Sequence, residues 1–155
     1  MTRLEPSQPA PPFSLADQNG QRVSLSDFAG RGVVLFFYPQ AMTPGCTTEA
    51  CDFRDSVPRL QSAGYEVVGI SPDEPAALRQ FADQESLTYP LLSDPSKETL
   101  QAYGAYGEKS LYGKEVVGVI RSTVVVDPEG AVQIAKYNIK ATGHVAALSK
   151  ALGLP

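Results

Sequence analysis

Residues 33–51 read VVLFFYPQAMTPGCTTEAC, and the way this stretch divides decides the fold. Val33 to Tyr38 is a continuous run of β-branched and aromatic side chains, the pattern of a central strand buried on both faces. Pro39 ends it, since a proline cannot donate to a strand ladder. After the loop the residues from Cys46 to Ala63 read as helix, with Gly64 as a C-terminal stop. Thr43 suits the N-cap and Pro44 the first helical position, which places Cys46 in the first turn. Pro58 lies inside this helix and is expected to kink or split it.

Working outward, the opening dozen residues carry four prolines and read as an extended arm. FSLADQNGQRVSLSDF has two short alternating runs around Asp17-Gln18-Asn19-Gly20, an N-terminal β-hairpin signal. Downstream come a strand from Glu66 to Ser71, a helix from about Pro75 to Gln84, the short apolar Tyr89-Pro90-Leu91-Leu92, and a helix from Lys97 to Tyr103. A Gly- and Tyr-rich segment leads to the strand STVVVD, a turn at Pro128-Glu129-Gly130, the strand AVQIAKY, and a last helix from about His144 to Leu152. Strands alternating with helices, then a hairpin near the end, indicate an α/β fold with a mixed sheet and helices on both faces. The chain of 155 residues, 43% of them hydrophobic, has the size of one domain spanning 1–155.

Thirteen basic and seventeen acidic residues are scattered without a basic run, giving a net charge of -4, which argues against nucleic acid or an anionic membrane as partner. There is no apolar run of secretory or membrane-spanning length, so a cytoplasmic, reducing compartment is expected. A persistent disulfide would be unusual there. The chain has two cysteines, Cys46 and Cys51. A ring that small constrains the unfolded chain little, so the pair is chemical sooner than structural.

In an intact helix, residues five apart are offset by about 140° and rise roughly 7.5 Å, which separates their Cα atoms by roughly 8.7 Å. Disulfides rarely tolerate more than ~7 Å, so the thiols can join only after one or two turns unwind. Cys46, among the unpaired N–H groups of the first turn, is placed to favour a thiolate; Cys51, more than a turn further on, is the natural second thiol. The alternative is that both are small buried hydrophobes.

The residues PQAMTPGC resemble the active-site signature of the peroxiredoxins, Pro-x-x-x-Thr-x-x-Cys, on Pro39, Thr43 and Cys46. TPGCTTEACDFRD resembles the bacterioferritin-comigratory, or Q-type, branch, and so does AYGAYGEKSLYGKEVVGVIRST (Ala102 to Thr123), which ends near Arg121. One departure is Gln40-Ala41, where many relatives have a basic and an acidic residue. The resemblance implies a thioredoxin-like fold and thiol-dependent reduction of hydroperoxides. Cys46 would be the peroxidatic nucleophile and Cys51 the resolving thiol. Thr43 and Arg121 would hydrogen-bond the thiolate or the peroxide oxygens, Pro39 would shield the thiol, and Glu49 would hold Arg121 or nearby backbone. It further implies recycling by a dithiol protein such as thioredoxin and a monomeric state. No metal, haem or flavin site is apparent, so no cofactor is expected.

Each residue also has a plainer reading: Thr43 as a helix cap, Arg121 as a solvated strand-end charge, and Tyr103, Tyr106 and Tyr112 as packing and loop anchors. His144, the only histidine, reads as starting the last helix and not as a base. Met42 and Phe53 can serve an apolar substrate or simply the core, which leaves the preferred peroxide open. Two rival functions remain. A thiol–disulfide oxidoreductase would normally carry Cys-x-x-Cys, and a redox-switched binding module would show no turnover.

Overall fold

The computed structural model describes residues 3–111 and 113–154. The quoted stretch forms strand β3 (Gly32–Phe37) and helix α1 (Pro44–Ser62), joined by a loop that carries Pro39 and Thr43. The strands before β3 are β1 (Ser14–Ala16) and β2 (Arg22–Ser24), the expected N-terminal hairpin. After α1 come β4 (Tyr65–Ser71), α2 (Pro75–Glu85), β5 (Leu91–Ser93), α3 (Glu98–Ala102), β6 (Tyr106–Leu111), β7 (Lys114–Val119), β8 (Ser122–Val126), β9 (Val132–Lys136) and α4 (His144–Ala151). Seven strands form one mixed sheet in the order β2-β1-β5-β4-β3-β8-β9. β3, β4 and β5 are parallel, as crossovers through α1 and α2 require, whereas β8 and β9 add antiparallel on the other side of β3.

Because side chains alternate along a strand, the apolar run of β3 feeds two cores. Val34, Phe36 and Tyr38 pack with Phe53 and Leu60 of α1, Phe81 of α2 and Leu148 of α4. Val33, Leu35 and Phe37 meet Leu100 and Tyr103 at α3, together with Ala10 and Phe13 of the N-terminal arm. The arm also covers the sheet edge. Ser7 N–H donates to Val132 O at 2.8 Å and Val132 N–H to Gln8 O at 2.8 Å, which occupies the outer ladder of β9.

One expectation is corrected. Helix α1 is not split at Pro58; it runs as one helix, with Pro58 on its exposed face. The Gly- and Tyr-rich segment, to which the sequence reading assigned no element, forms the antiparallel pair β6–β7, separate from the main sheet. Gly113, in its turn, has φ +78°, a conformation open to glycine. Tyr103 is fully buried and Tyr106 packs on the second core, as anchors should; the reading of Tyr112 lies outside the described residues. No helix among the described residues is long and apolar enough to cross a membrane.

Gly69 of β4 marks the tightest part of the first core. A Cβ added there would stand 2.9 Å from Phe36 Cζ and 3.0 Å from Leu91 Cδ2. The Phe36 ring cannot yield, since it stacks on Phe53 at 4.6 Å and on Tyr38 at 5.3 Å. Gly69→Ala should therefore destabilise the protein by about 1–3 kcal/mol, read from urea unfolding, despite the higher strand propensity of alanine.

Candidate active site

Helix α1 buries Cys46, Glu49, Ala50, Phe53 and Leu60, spaced by three, four and seven residues along one face turned toward the sheet. Cys46 and Glu49 are thus one turn apart on the same stripe. Thr43 is the N-cap with extended backbone (φ -82°, ψ 155°), and Pro44 occupies the first turn. The Thr43 hydroxyl does not cap the helix or reach the sulfur; it donates to Gln40 O at 2.8 Å and tightens the loop into the helix. Pro39 is partly buried at the end of the strand run, and Met42 is an exposed rim residue with φ +67°. Phe53 is core, stacked on Phe36 and not lining a surface.

Arg121 comes from the far side of the chain, in the link between β7 and β8. The link is fixed on both flanks: Ile120 N–H donates to Ala105 O at 2.7 Å, and Ile139 N–H donates to Arg121 O at 3.0 Å. From there the guanidinium divides between two partners. Nη2 donates to Cys46 Sγ at 3.1 Å and Nη1 to Glu49 Oε1 at 2.7 Å. The sulfur is almost wholly buried, at 1% exposure, and the Arg121 side chain retains 17%. A largely buried cation held at this distance donates to the sulfur and can also donate to an oxygen bound there. Glu49 is completely buried, and its Oε2 has no hydrogen-bond partner among the described residues. Burial outweighs the opposing pull of Arg121, so its carboxyl pKa rises to about 7.

The structure brings Cys46, Arg121 and Glu49 together and leaves Cys51 apart. Both thiols are free; Cys51 lies off the buried stripe, partly exposed, and donates to Glu85 Oε1 at 3.4 Å. Asp73, just past β4, escaped the sequence reading. Its Oδ2 accepts the Ala41 N–H at 2.7 Å and the Ser71 hydroxyl at 2.8 Å, which ties the loop carrying Pro39 and Thr43 to the end of β4. An aspartate just beyond an apolar strand was the available signal, although it does not say which loop would come to it. His144 starts α4 as expected, and its Nε2 shares a 2.8 Å hydrogen bond with Thr123 Oγ1.

This fold and site define a thioredoxin-like domain with a first-turn cysteine facing an arginine. Residues 6–135 match the AhpC/TSA family. A Mycobacterium tuberculosis chain classed among the peroxiredoxins is 58% identical over 153 residues, covering 99% of this chain and 98% of that one. Peroxiredoxin Bcp of Escherichia coli is 42% identical over 144 residues, covering 93% and 92%. Among solved structures, the bacterioferritin comigratory protein of Xanthomonas campestris superposes with a TM-score of 0.85 at 35% identity, over 91% of this chain and 90% of that one. The chain belongs to the AhpC/TSA family and, within it, to the bacterioferritin-comigratory, or Q-type, branch of the peroxiredoxins. It is therefore a peroxidase that acts on hydroperoxides with a thiol reductant.

His144 gives a test of this neighbourhood that does not depend on turnover. Burial, with Lys136 and Arg121 adding to it, lowers the imidazole pKa from 6.5 to about 4. Between those values the unfolded chain binds the proton and the folded chain does not, so stability falls as pH drops through that window, at up to about 1.4 kcal/mol per pH unit. In urea titrations the parent should lose stability relative to His144→Gln from pH 6.5 to 4 and show no such drift above pH 7.

Proposed function

We propose that the chain reduces hydrogen peroxide and organic hydroperoxides by a two-cysteine cycle. The Cys46 thiolate attacks the terminal peroxide oxygen; an S–O bond forms, the O–O bond breaks, and the departing alkoxide or hydroxide takes a proton to leave as ROH or water. Cys46 is left as a sulfenic acid. Cys51 then attacks that sulfur, the sulfenic hydroxyl leaves as water with the Cys51 proton, and an intramolecular disulfide forms. A dithiol protein such as thioredoxin reduces it and restores both thiols. The cycle runs in a monomer in the cytoplasm and calls on no metal, haem or flavin.

The observation that supports this reading best is the divided guanidinium, with Nη2 at 3.1 Å from the sulfur while Nη1 is fixed on Glu49. A cation held from behind meets the charge that builds on the breaking O–O bond without having to reorganise. Thr43 serves as a further polar contact for the peroxide. Its hydroxyl proton is engaged by Gln40 O, so a peroxide O–H meets the oxygen as an acceptor. Pro39 closes one side of the sulfur against water, and Glu49 is a positioning residue for Arg121. The Xanthomonas relative has alkyl peroxide reduction activity, which supports organic hydroperoxides as substrates here as well.

Peroxide consumption coupled to thioredoxin and its reductase tests the cycle. Cys46→Ser should show no turnover, and Cys51→Ser should consume one equivalent of peroxide per chain and stop. Normal turnover by Cys46→Ser would refute the assignment.

Arg121→Gln removes the charge from both partners. A hydrogen bond between ionised groups is worth about 1.5–3 kcal/mol, so oxidation of Cys46 in single-turnover mixing should slow roughly 10- to 100-fold. Arg121→Lys should recover only part of this, because one ammonium cannot span both partners. An unchanged rate in Arg121→Gln would make the arginine purely structural.

A further inference from the structure

The surroundings of Cys51 contain more than a waiting thiol. Glu85 is the last residue of α2, and Ser86 after it stands in the left-handed region at φ +55°. Terminal helix carbonyls lack partners within their own helix. The Glu85 carbonyl finds one in α1: Arg54 Nη1 donates to it at 2.7 Å. The Glu85 side chain also reaches α1, where Oε1 accepts the Cys51 thiol at 3.4 Å. Just beyond α2, the Tyr89 hydroxyl donates to the Ala50 carbonyl at 2.7 Å. Ala50, Cys51 and Arg54 are therefore all moored to residues 85–89. This is the part of α1 that has to leave its place before Cys51 can approach Cys46.

Resting on the reading of Cys51 as the resolving thiol, we propose that Glu85 is a positioning residue for the disulfide step. Its carboxylate and carbonyl hold Cys51 and Arg54 against the end of α2 and so set how long the Cys46 sulfenic acid stays open to a second peroxide. The step it restrains balances as Cys46–SOH plus Cys51–SH giving the disulfide and water. The competing step transfers one oxygen from a second peroxide to the sulfenic sulfur, giving a sulfinic acid and ROH.

The hold depends on protonation. A thiol donates to the carboxylate, whereas a thiolate repels it. Around Cys51, Glu85 faces it from α2, Arg54 and Asp55 are on its own helix, and Tyr89 lies nearby. Burial first, and then the bond to Glu85, push the Cys51 thiol up, with Arg54 opposing. Loss of the thiol proton therefore releases the segment and supplies the nucleophile at once.

Quenched-flow oxidation with hydrogen peroxide, followed by thiol alkylation and mass spectrometry, separates the two steps. A hydrogen bond of this kind is worth about 1 kcal/mol net, so Glu85→Ala should form the disulfide about fivefold faster. Its peroxide step should be unchanged, and it should yield less sulfinic acid under excess peroxide. Glu85→Gln accepts from the thiol and can also donate to a thiolate, so its disulfide rate should rise less steeply with pH than the parent's. An unchanged or slower disulfide step in Glu85→Ala would overturn the proposal, as would an equal change in both steps. If Glu85→Ala fails to fold, the pH slopes of the parent and Glu85→Gln decide alone, and equal slopes overturn it. A failure of the two-cysteine reading itself looks different, since the parent would then form no Cys46–Cys51 disulfide.

Discussion

One guanidinium bridges a buried sulfur and a buried carboxyl group. Arg121 spans the Cys46 sulfur and the Glu49 carboxylate, which α1 presents one turn apart on its buried face. Removing charge from water is costly unless partners compensate it, and the compensation here is incomplete: among the described residues Glu49 Oε2 is left without a hydrogen-bond partner. Much of the neighbouring structure can be understood as what keeps this arrangement in register. The stripe on α1 fixes the spacing of sulfur and carboxylate, the β6–β7 pair brings the chain back to Arg121, and Asp73 fixes the loop in front.

That imbalance has a pH signature. The Glu49 carboxyl rises to about 7 on folding, so in the window from 4.5 to 7 the folded chain binds the proton more readily than the unfolded one. Its contribution to stability is full below 4.5 and is lost as pH rises through 7. His144 has the opposite sign over much of the same range, because its folded pKa is lowered to about 4. The two slopes oppose each other between about pH 4.5 and 6.5, so stability varies less with pH there than either group alone would impose.

Legibility in the sequence followed the range of the interactions. The alternating apolar run of β3, the N-cap Thr43, the stop at Gly64 and the N-terminal hairpin are local patterns, and each was readable from a few adjacent residues. The motif around Cys46 was readable through its resemblance to a family. The pairing of Arg121 with Cys46 joins residues 75 positions apart, and no periodicity announces it. Only the family resemblance supplied it; Asp73 had no such help and was missed, as its partner Ala41 lies 32 residues back. Pro58 misled because the rule for a proline inside a helix assumes that the orphaned carbonyl matters, and on the exposed face solvent can satisfy it. The β6–β7 hairpin was hidden by glycines and tyrosines that do not alternate cleanly, and its pairing becomes evident only with the register in hand.

The same helix that places Cys46 against Arg121 keeps Cys51 on another face, donating to Glu85 instead of approaching the sulfur. In an unbroken α1 the two Cα atoms stand roughly 8.7 Å apart, beyond disulfide range, so a catalytic cycle through both thiols requires the first half of the helix to open and close. Hydrogen exchange followed by mass spectrometry, on the reduced protein and on the peroxide-oxidised protein, tests this most directly. The account predicts that oxidation strips protection from about Cys46 to Ser56 and leaves β3 as protected as before. Equal protection of residues 46–56 in the two forms would contradict it, even with peroxidase activity intact.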